Sequence, residues 1–343
     1  MGAAVELREA IRQVAEERRD LSAAEAAEVV TAILSQTASP AQTGCLLAAL
    51  RMKGETAAEV QGCAEAMLRR AVPVAVNGHD PIDIGGTGGD RSGTFNISTT
   101  AAFVVAAAGV PVLKHGNRRV TSRSGSADLV EAIGIPLRQE AEPAHVERCL
   151  DEAGFAYLFT PAYHRFPAAL GTLRREIAIR SIFNLAGPVA HPALVRRQIV
   201  GVAQPPLVPL IADVLRRLSR ERAFVVHGAG GLDEFSIVGT THVVEVRGDV
   251  TRGFTVEPSD FGLTPARLED IRGGDPAESA RLSLAVLAGA PGPRRDAVLM
   301  TAAAALVLAG KAPTFPEGVA LGREAIDSGA AMRALDRLRE LSR

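Results

Sequence analysis

The stretch Asp80-Pro81-Ile82-Asp83-Ile84-Gly85-Gly86-Thr87-Gly88-Gly89-Asp90-Arg91-Ser92-Gly93-Thr94-Phe95-Asn96-Ile97-Ser98-Thr99 decides the fold. Residues 81–84 read as a short strand that runs directly into glycine. Residues 99–109 then read as a buried helix, and 110–113 as the next strand. Further strand candidates at 198–202, 223–226 and 243–246, with a helix over 206–218, continue the alternation. Such alternation predicts an α/β domain over 80–343 with a central, mostly parallel sheet and helices on both faces.

Before Asp80 the texture is different: residues 1–72 read as helices only. Leu7, Ile11, Val14 and Ala15 share one apolar stripe. Capping boxes start three more helices, at Ser22-x-x-Glu25, Ser39-x-x-Gln42 with Pro40 at the first helical position, and Thr56-x-x-Glu59. Gly54 stands where the third helix should stop. The prediction is a small helical domain of four short helices. Residues 164–188 return to helical spacing (Leu170, Leu173, Ile177) and are expected to pack onto that domain.

With 343 residues there is room for two domains. A net charge of −1 and 4% aromatic residues without Trp speak against a nucleic-acid clamp or a base-stacking platform. Cys45, Cys63 and Cys149 are scattered singly, as reduced thiols would be. Residues 1–20 carry charge throughout and hold no signal core, and the longest apolar run is too short to span a bilayer. A cytoplasmic protein without membrane or nucleic-acid partners is the expectation.

Four constellations carry chemistry. In the glycine stretch above, closely spaced backbone N–H groups and a following helix start suit an anion. It is neither a dinucleotide fingerprint, since the sixth position from Gly86 is Arg91, nor a P-loop, since Thr94 rather than Lys follows Gly93. The second is Lys114-His115-Gly116-Asn117-Arg118-Arg119-Val120-Thr121-Ser122-Arg123-Ser124-Gly125-Ser126-Ala127-Asp128. The chain has only Lys53, Lys114 and Lys311, so a lysine at a strand end beside a hydroxyl-rich loop points to a compact phosphate contact. Third, Asp233-Glu234 follows a strand and a turn, where paired carboxylates suit Mg²⁺ shared with substrate phosphates, although such pairs also occur on plain surfaces. Fourth, Arg174-Arg175-Glu176, preceded by His164, offers either a carboxylate clamp or an i,i+4 surface network. No G-x-S-x-G elbow or H-E-x-x-H helix is present, and the His residues are dispersed.

In this order and context, Gly86-Thr87-Gly88-Gly89-Asp90, Asn96-Ile97-Ser98-Thr99, Lys114-His115-Gly116-Asn117-Arg118, Ser124-Gly125-Ser126-Ala127-Asp128 and Asp233-Glu234, with the stretch Arg174-Arg175-Glu176 … Arg180-Ser181-Ile182-Phe183-Asn184-Leu185-x-Gly187-Pro188, resemble the anthranilate phosphoribosyltransferase family of tryptophan biosynthesis. The resemblance covers nearly the whole chain. It implies a homodimer joined through its helical domains, with phosphoribosyl pyrophosphate (PRPP) and anthranilate as substrates and Mg²⁺ as cofactor. By the same resemblance Gly86, Gly89, Asp90, Thr94, Asn96, Ile97, Ser98, Thr99, Lys114, Ser122 and Ser126 would hold PRPP. Ser98, Asp233 and Glu234 would surround the metal, with Asp233, Glu234 and Lys114 as the catalytic set. Gly86, His115, Asn117, His164 and Arg174 would meet anthranilate.

Three segments depart from the family's usual pattern. His164-Arg165-Phe166-Pro167 stands for His-Pro-Ala-Met, Val189-Ala190-His191-Pro192 for Leu-Thr-Asn-Pro, and Ala178 for the glycine closing Arg-Arg-Glu-Leu-Gly. All lie on the acceptor side, which leaves another aromatic amine or carboxylate open as acceptor. Two further readings are a non-catalytic nucleic-acid-binding homologue and a pyrimidine nucleoside phosphorylase of the same fold.

Overall fold

The computed structural model describes residues 6–118 and 124–343. Seven strands form one sheet: β1 (Ile82–Gly86), β2 (Val112–Gly116), β3 (Phe155–Phe159), β4 (Arg197–Gly201), β5 (Arg222–Gly228), β6 (Thr241–Arg247) and β7 (Val250–Val256). Their order is β3-β2-β1-β4-β5-β6-β7. The first five run parallel, while β6 and β7 add antiparallel to the β5 edge. The sheet is therefore mostly parallel, as the alternation predicts.

Chain order reverses between β1 and β4. From β1 the chain winds outward through β2 and β3, and from β4 it winds the other way through β5. Loops leaving the carboxyl ends of β1 and β4 diverge there, which opens a crevice at the point where open α/β sheets bind ligands.

The N-terminal helices are α1 (Leu7–Ala15), α2 (Ala23–Leu34), α3 (Pro40–Lys53) and α4 (Ala57–Arg70). All three capping boxes are formed: the backbone N–H groups of Glu25, Gln42 and Glu59 donate to Ser22, Ser39 and Thr56, and each N3 side chain accepts the return bond. Each such cap contributes about 0.5–2 kcal/mol. Helices Ala168–Ile177 and Ile182–Val189 lie against α3 and α4, and Leu170, Leu173, Ile182 and Phe183 are buried with them.

One apolar cluster extends from these helices through helix Leu207–Arg217 to Val200, Val225 and Val246 on one face of the sheet. A second cluster fills the opposite face, under α5 (Ile97–Ala107) and the C-terminal helices. The N-terminal helices thus share a core with the sheet face they lean on, so the crevice has a firm wall on that side. Among the described residues no helix is long and apolar enough to cross a membrane.

Strands β3 and β7 lie outside the predicted set. Phe155–Phe159 is a short apolar run that period alone does not separate from buried helix. Val250–Val256 is an exposed edge strand carrying Thr, Arg and Gly.

Candidate active site

A cleft of about 290 Å³ sits at the crevice. Its floor depends on two glycines, Gly86 ending β1 and Gly201 ending β4, which are register partners. A Cβ on Gly201 would overlap the Asp233 carbonyl oxygen, and one on Gly86 would lie 2.8 Å from Asp233 Oδ2. Only with both side chains absent can the loop after β5 cross the strand ends and bring Asp233-Glu234 over the crevice. The Thr87 N–H donates to the Gly201 carbonyl at 2.8 Å, so the ladder continues into the glycine loop. That loop then turns through Gly88 (φ +62°) and Gly89 (φ +87°).

The acidic pair is held by main-chain donors. Gly88 N–H donates to Asp233 Oδ2 at 2.8 Å, and Ser98 N–H, in the first turn of α5, donates to Glu234 Oε1 at 3.1 Å. Among the described residues neither carboxylate has an ion pair. Burial pushes both well above the usual carboxylate range, and Asp90 pushes Asp233 further in the same direction. Two carboxylates and the Ser98 hydroxyl form a hard-oxygen set, with Lys114 and Arg180 nearby but in no ion pair with it among the described residues. Mg²⁺ fits such a set. Among the described residues no cluster of three His, Cys, Asp or Glu side chains could complete a metal cage, so further ligands must come from substrate or water.

Lys114, on β2 and almost fully buried, donates to the Ile84 carbonyl and reaches Ser98 Oγ at 3.5 Å. Burial lowers its pKa, while Asp83, Glu234 and Asp233 favour the charged form. Asp83, raised to about 6 by burial, accepts from the His115 N–H at 3.3 Å and from Gln198 Nε2 at 2.9 Å. Asn96 makes no side-chain cap to α5. Its Nδ2 donates instead to the Ser124 carbonyl at 3.2 Å, which ties the second loop to the first.

The other side of the cleft is aromatic. His115, His164 and His191 form a buried group with ring centroids 5.0 and 5.4 Å from His115. Burial holds all three neutral, with His164 pulled down to about 4 and His191 to about 3. Thr160 Oγ1 donates to the Gly116 carbonyl at 2.8 Å, so it accepts from His115 Nε2 at 3.1 Å. That assignment leaves His115 Nδ1 as an acceptor. Phe166 stacks on His164 at 5.3 Å and meets Phe183 edge-on at 6.1 Å. Arg174 lies over the Phe183 ring at 5.5 Å and has neither hydrogen bond nor ion pair among the described residues. Arg175, by contrast, points outward and bonds Thr172.

Gly86, Gly89, Asp90, Thr94, Asn96, Ser98, Thr99, Lys114, His115, Asn117, Ser126, Arg174, Asp233 and Glu234 all line the cleft. Ile97 does not: its side chain is in the core and its N–H bonds the Phe95 carbonyl at 2.8 Å. His164 stands one ring behind, reached through Phe166. Ser122 lies outside the described residues.

Two family models match the chain, "Glycosyl transferase family, helical bundle domain" over residues 8–71 and "Glycosyl transferase family, a/b domain" over 78–332. The anthranilate phosphoribosyltransferase of Symbiobacterium thermophilum is 49% identical over 97% of this chain and 96% of its own. That of Anaeromyxobacter dehalogenans is 50% identical over 94% and 95%. The chain belongs to the anthranilate phosphoribosyltransferase family.

Solved structures of anthranilate phosphoribosyltransferases agree. The Thermus thermophilus enzyme superposes with a TM-score of 0.90 at 39% identity, covering 97% of this chain and 99% of that one. The Saccharomyces cerevisiae enzyme in complex with PRPP and Mg superposes at 0.91 and 29% identity, covering 98% and 97%. Asp83, which no site motif marks, also lines the cleft, as do Arg180 and Phe183 from a stretch that carries the resemblance and Phe166 from a segment that departs from it. The sequence assigns Arg180 no role, and only the structure brings the segment after helix Ala168–Ile177 to the glycine loop.

Proposed function

We propose that this protein transfers the phosphoribosyl group of PRPP to the amine of anthranilate, releasing pyrophosphate, in tryptophan biosynthesis. One observation carries the reading: among the described residues of a single cleft, two half-buried carboxylates form no ion pair and a half-buried guanidinium has neither hydrogen bond nor ion pair. A PRPP–Mg²⁺ complex supplies the cation and anthranilate supplies the anion.

Asp233, Glu234 and Ser98 would hold Mg²⁺, which neutralises charge developing on the departing pyrophosphate. Gly86, Gly89, Asp90, Thr94, Thr99, Lys114, Ser122 and Ser126 would receive PRPP, with Asn96 and Ile97 contributing through the start of α5. Lys114 spans from the Ile84 carbonyl in β1 to the Ser98 hydroxyl on the metal side. Arg174 pairs with the anthranilate carboxylate, flanked by Phe183, Asn117 and Gly86. Neutral His115 offers Nδ1 to the amine, with His164 and Phe166 behind it. Departure of pyrophosphate leaves oxocarbenium-like charge at the ribose C1, and an aromatic amine held against it is already a nucleophile. Placement and electrostatics supply most of the rate.

The same proposal divides the protein into a helical domain, 1–72 with 164–188, and an α/β domain, 80–343. It also takes the protein as a cytoplasmic homodimer. Three free cysteines suit a reducing compartment, and Met52 on α3, 80% exposed, suits a helical-domain interface. The test is PRPP-dependent loss of anthranilate fluorescence with Mg²⁺, matched one-to-one by pyrophosphate release. Release without loss of fluorescence would show hydrolysis or another acceptor.

A further inference from the structure

Arg180 sits in the link between helices Ala168–Ile177 and Ile182–Val189, on the helical side of the cleft. Its side chain crosses to the glycine loop, where Nη2 donates to the Thr87 carbonyl at 2.8 Å. Its Nη1 occupies the place a Cβ on Gly89 would take. Gly89 is thus glycine on two counts, a φ of +87° and the guanidinium lying against it. Among the described residues Arg180 forms no ion pair, and Thr87 is its only hydrogen-bond acceptor. A guanidinium has five N–H donors, so most of this one's are uncommitted in a cleft built for anions. The charges facing it are Asp90 and Asp233 across the glycine loop and Arg51 and Glu55 from α3 and its end.

We infer that Arg180 binds the pyrophosphate group of PRPP, gripping the leaving group from the helical side of the cleft. This rests on the phosphoribosyl-transfer reading above. Position favours pyrophosphate over the acceptor carboxylate. Arg174 lies over the Phe183 ring, whereas Arg180 lies on the glycine loop beside Asp90 and Asp233, where a PRPP–Mg²⁺ complex would be held. Because Arg180 belongs to the segment that also carries Arg174, both substrates would pull on one piece of chain.

Calorimetry separates the roles, with pyrophosphate and ribose 5-phosphate titrated into wild type, Arg180→Gln and Arg180→Lys in saturating Mg²⁺. Arg180→Gln keeps a donor for the Thr87 carbonyl but loses the charge. It should weaken pyrophosphate at least tenfold, leave ribose 5-phosphate within twofold and leave the KM for anthranilate unchanged, while Arg180→Lys recovers part of the loss. Equal weakening of both ligands would make Arg180 a loop tether and overturn the inference. So would unchanged pyrophosphate affinity, or a loss confined to anthranilate. Failure of wild type to bind PRPP with Mg²⁺ would instead overturn the functional reading itself.

Discussion

The two halves of the cleft are built by different means. On the PRPP side, Gly86, Gly88, the first turn of α5 and the Asp233-Glu234 loop work through main-chain donors and carboxylates set by strand ends. On the acceptor side, Phe166, Arg174, Phe183 and His115 come from four separate elements and meet as side chains only. Backbone geometry tolerates few residue types, so the first half is written as contiguous motif. Side-chain walls tolerate many, so the second half is where this chain departs from its family's usual pattern. A polyphosphate site is conservative for the same reason that it is legible.

If that contrast holds, the largest single effect lies in the strand-end glycines. Gly201→Val places a side chain into the Asp233 main chain, which must move and carry both carboxylates with it. Turnover should fall more than a hundredfold, ~2.7 kcal/mol or more in barrier, with a lowered melting temperature. A variant that keeps near-normal turnover would mean that the acidic loop need not rest on β4.

Next comes the acidic pair itself. Glu234→Gln or Asp233→Asn should lower kcat at least tenfold, ~1.4 kcal/mol or more, and should leave the KM for anthranilate nearly unchanged. Because burial disfavours both charges in the substrate-free protein, neither variant should melt at a lower temperature than wild type. Loss of folding instead of turnover would reassign the pair to structure.

Legibility follows the same division. Capping boxes at Ser22, Ser39 and Thr56 were readable because a cap is a contract among four consecutive residues. Strands β1, β2, β4, β5 and β6 were readable from apolar runs between glycine and turn signals. β3 was not, because Phe155–Phe159 lacks a period of its own, nor was β7, whose pattern is that of a solvated edge. Antiparallel pairing of β6 follows from its short return after β5, a tertiary fact. In the cleft, Ile97 looked like part of the loop but belongs to the core, because α5 begins there. Arg180 and Phe166 lie in segments the sequence does single out, but their contacts with Thr87 and Phe183 are tertiary, so no spacing assigns them a role.

A smaller, more selective effect should appear on the acceptor side. Arg174→Ala removes the cation proposed to pair with the anthranilate carboxylate, so the KM for anthranilate should rise about tenfold, ~1.4 kcal/mol, with the KM for PRPP nearly constant. Arg175→Ala, whose side chain bonds only Thr172 among the described residues, should change neither. Aniline, lacking the carboxylate, should be a poor substrate of wild type and lose little more in Arg174→Ala. Sensitivity at Arg175 instead would mean that the helix presents its other face to the substrate. Insensitivity at both would mean that the walls built by Phe166 and Phe183 select the acceptor by shape alone.

The mildest separation of the halves is in pH. Burial raises Asp233 and Glu234, toward about 8 and about 7, so near neutrality part of the population is protonated at one or both. Mg²⁺ with PRPP must displace those protons, so the KM for PRPP at fixed Mg²⁺ should fall severalfold as pH rises from about 6 to about 8.5. Stability of the substrate-free protein should move the other way. A carboxylate whose folded pKa is raised binds more protons folded than unfolded, so its contribution is fully present at low pH. It is lost as pH climbs from the ordinary carboxylate range through about 7 to 8. The melting temperature without ligand should therefore decline over that window, and Mg²⁺ with PRPP should restore more of it at pH 8 than at pH 6. Among the described residues of the acceptor half none titrates there: Arg174 stays charged, and burial keeps His115 and His164 neutral. The KM for anthranilate should be flat across the same range. A flat PRPP profile beside a sloping anthranilate profile would place the titrating groups on the aromatic side and reverse the contrast between the two halves.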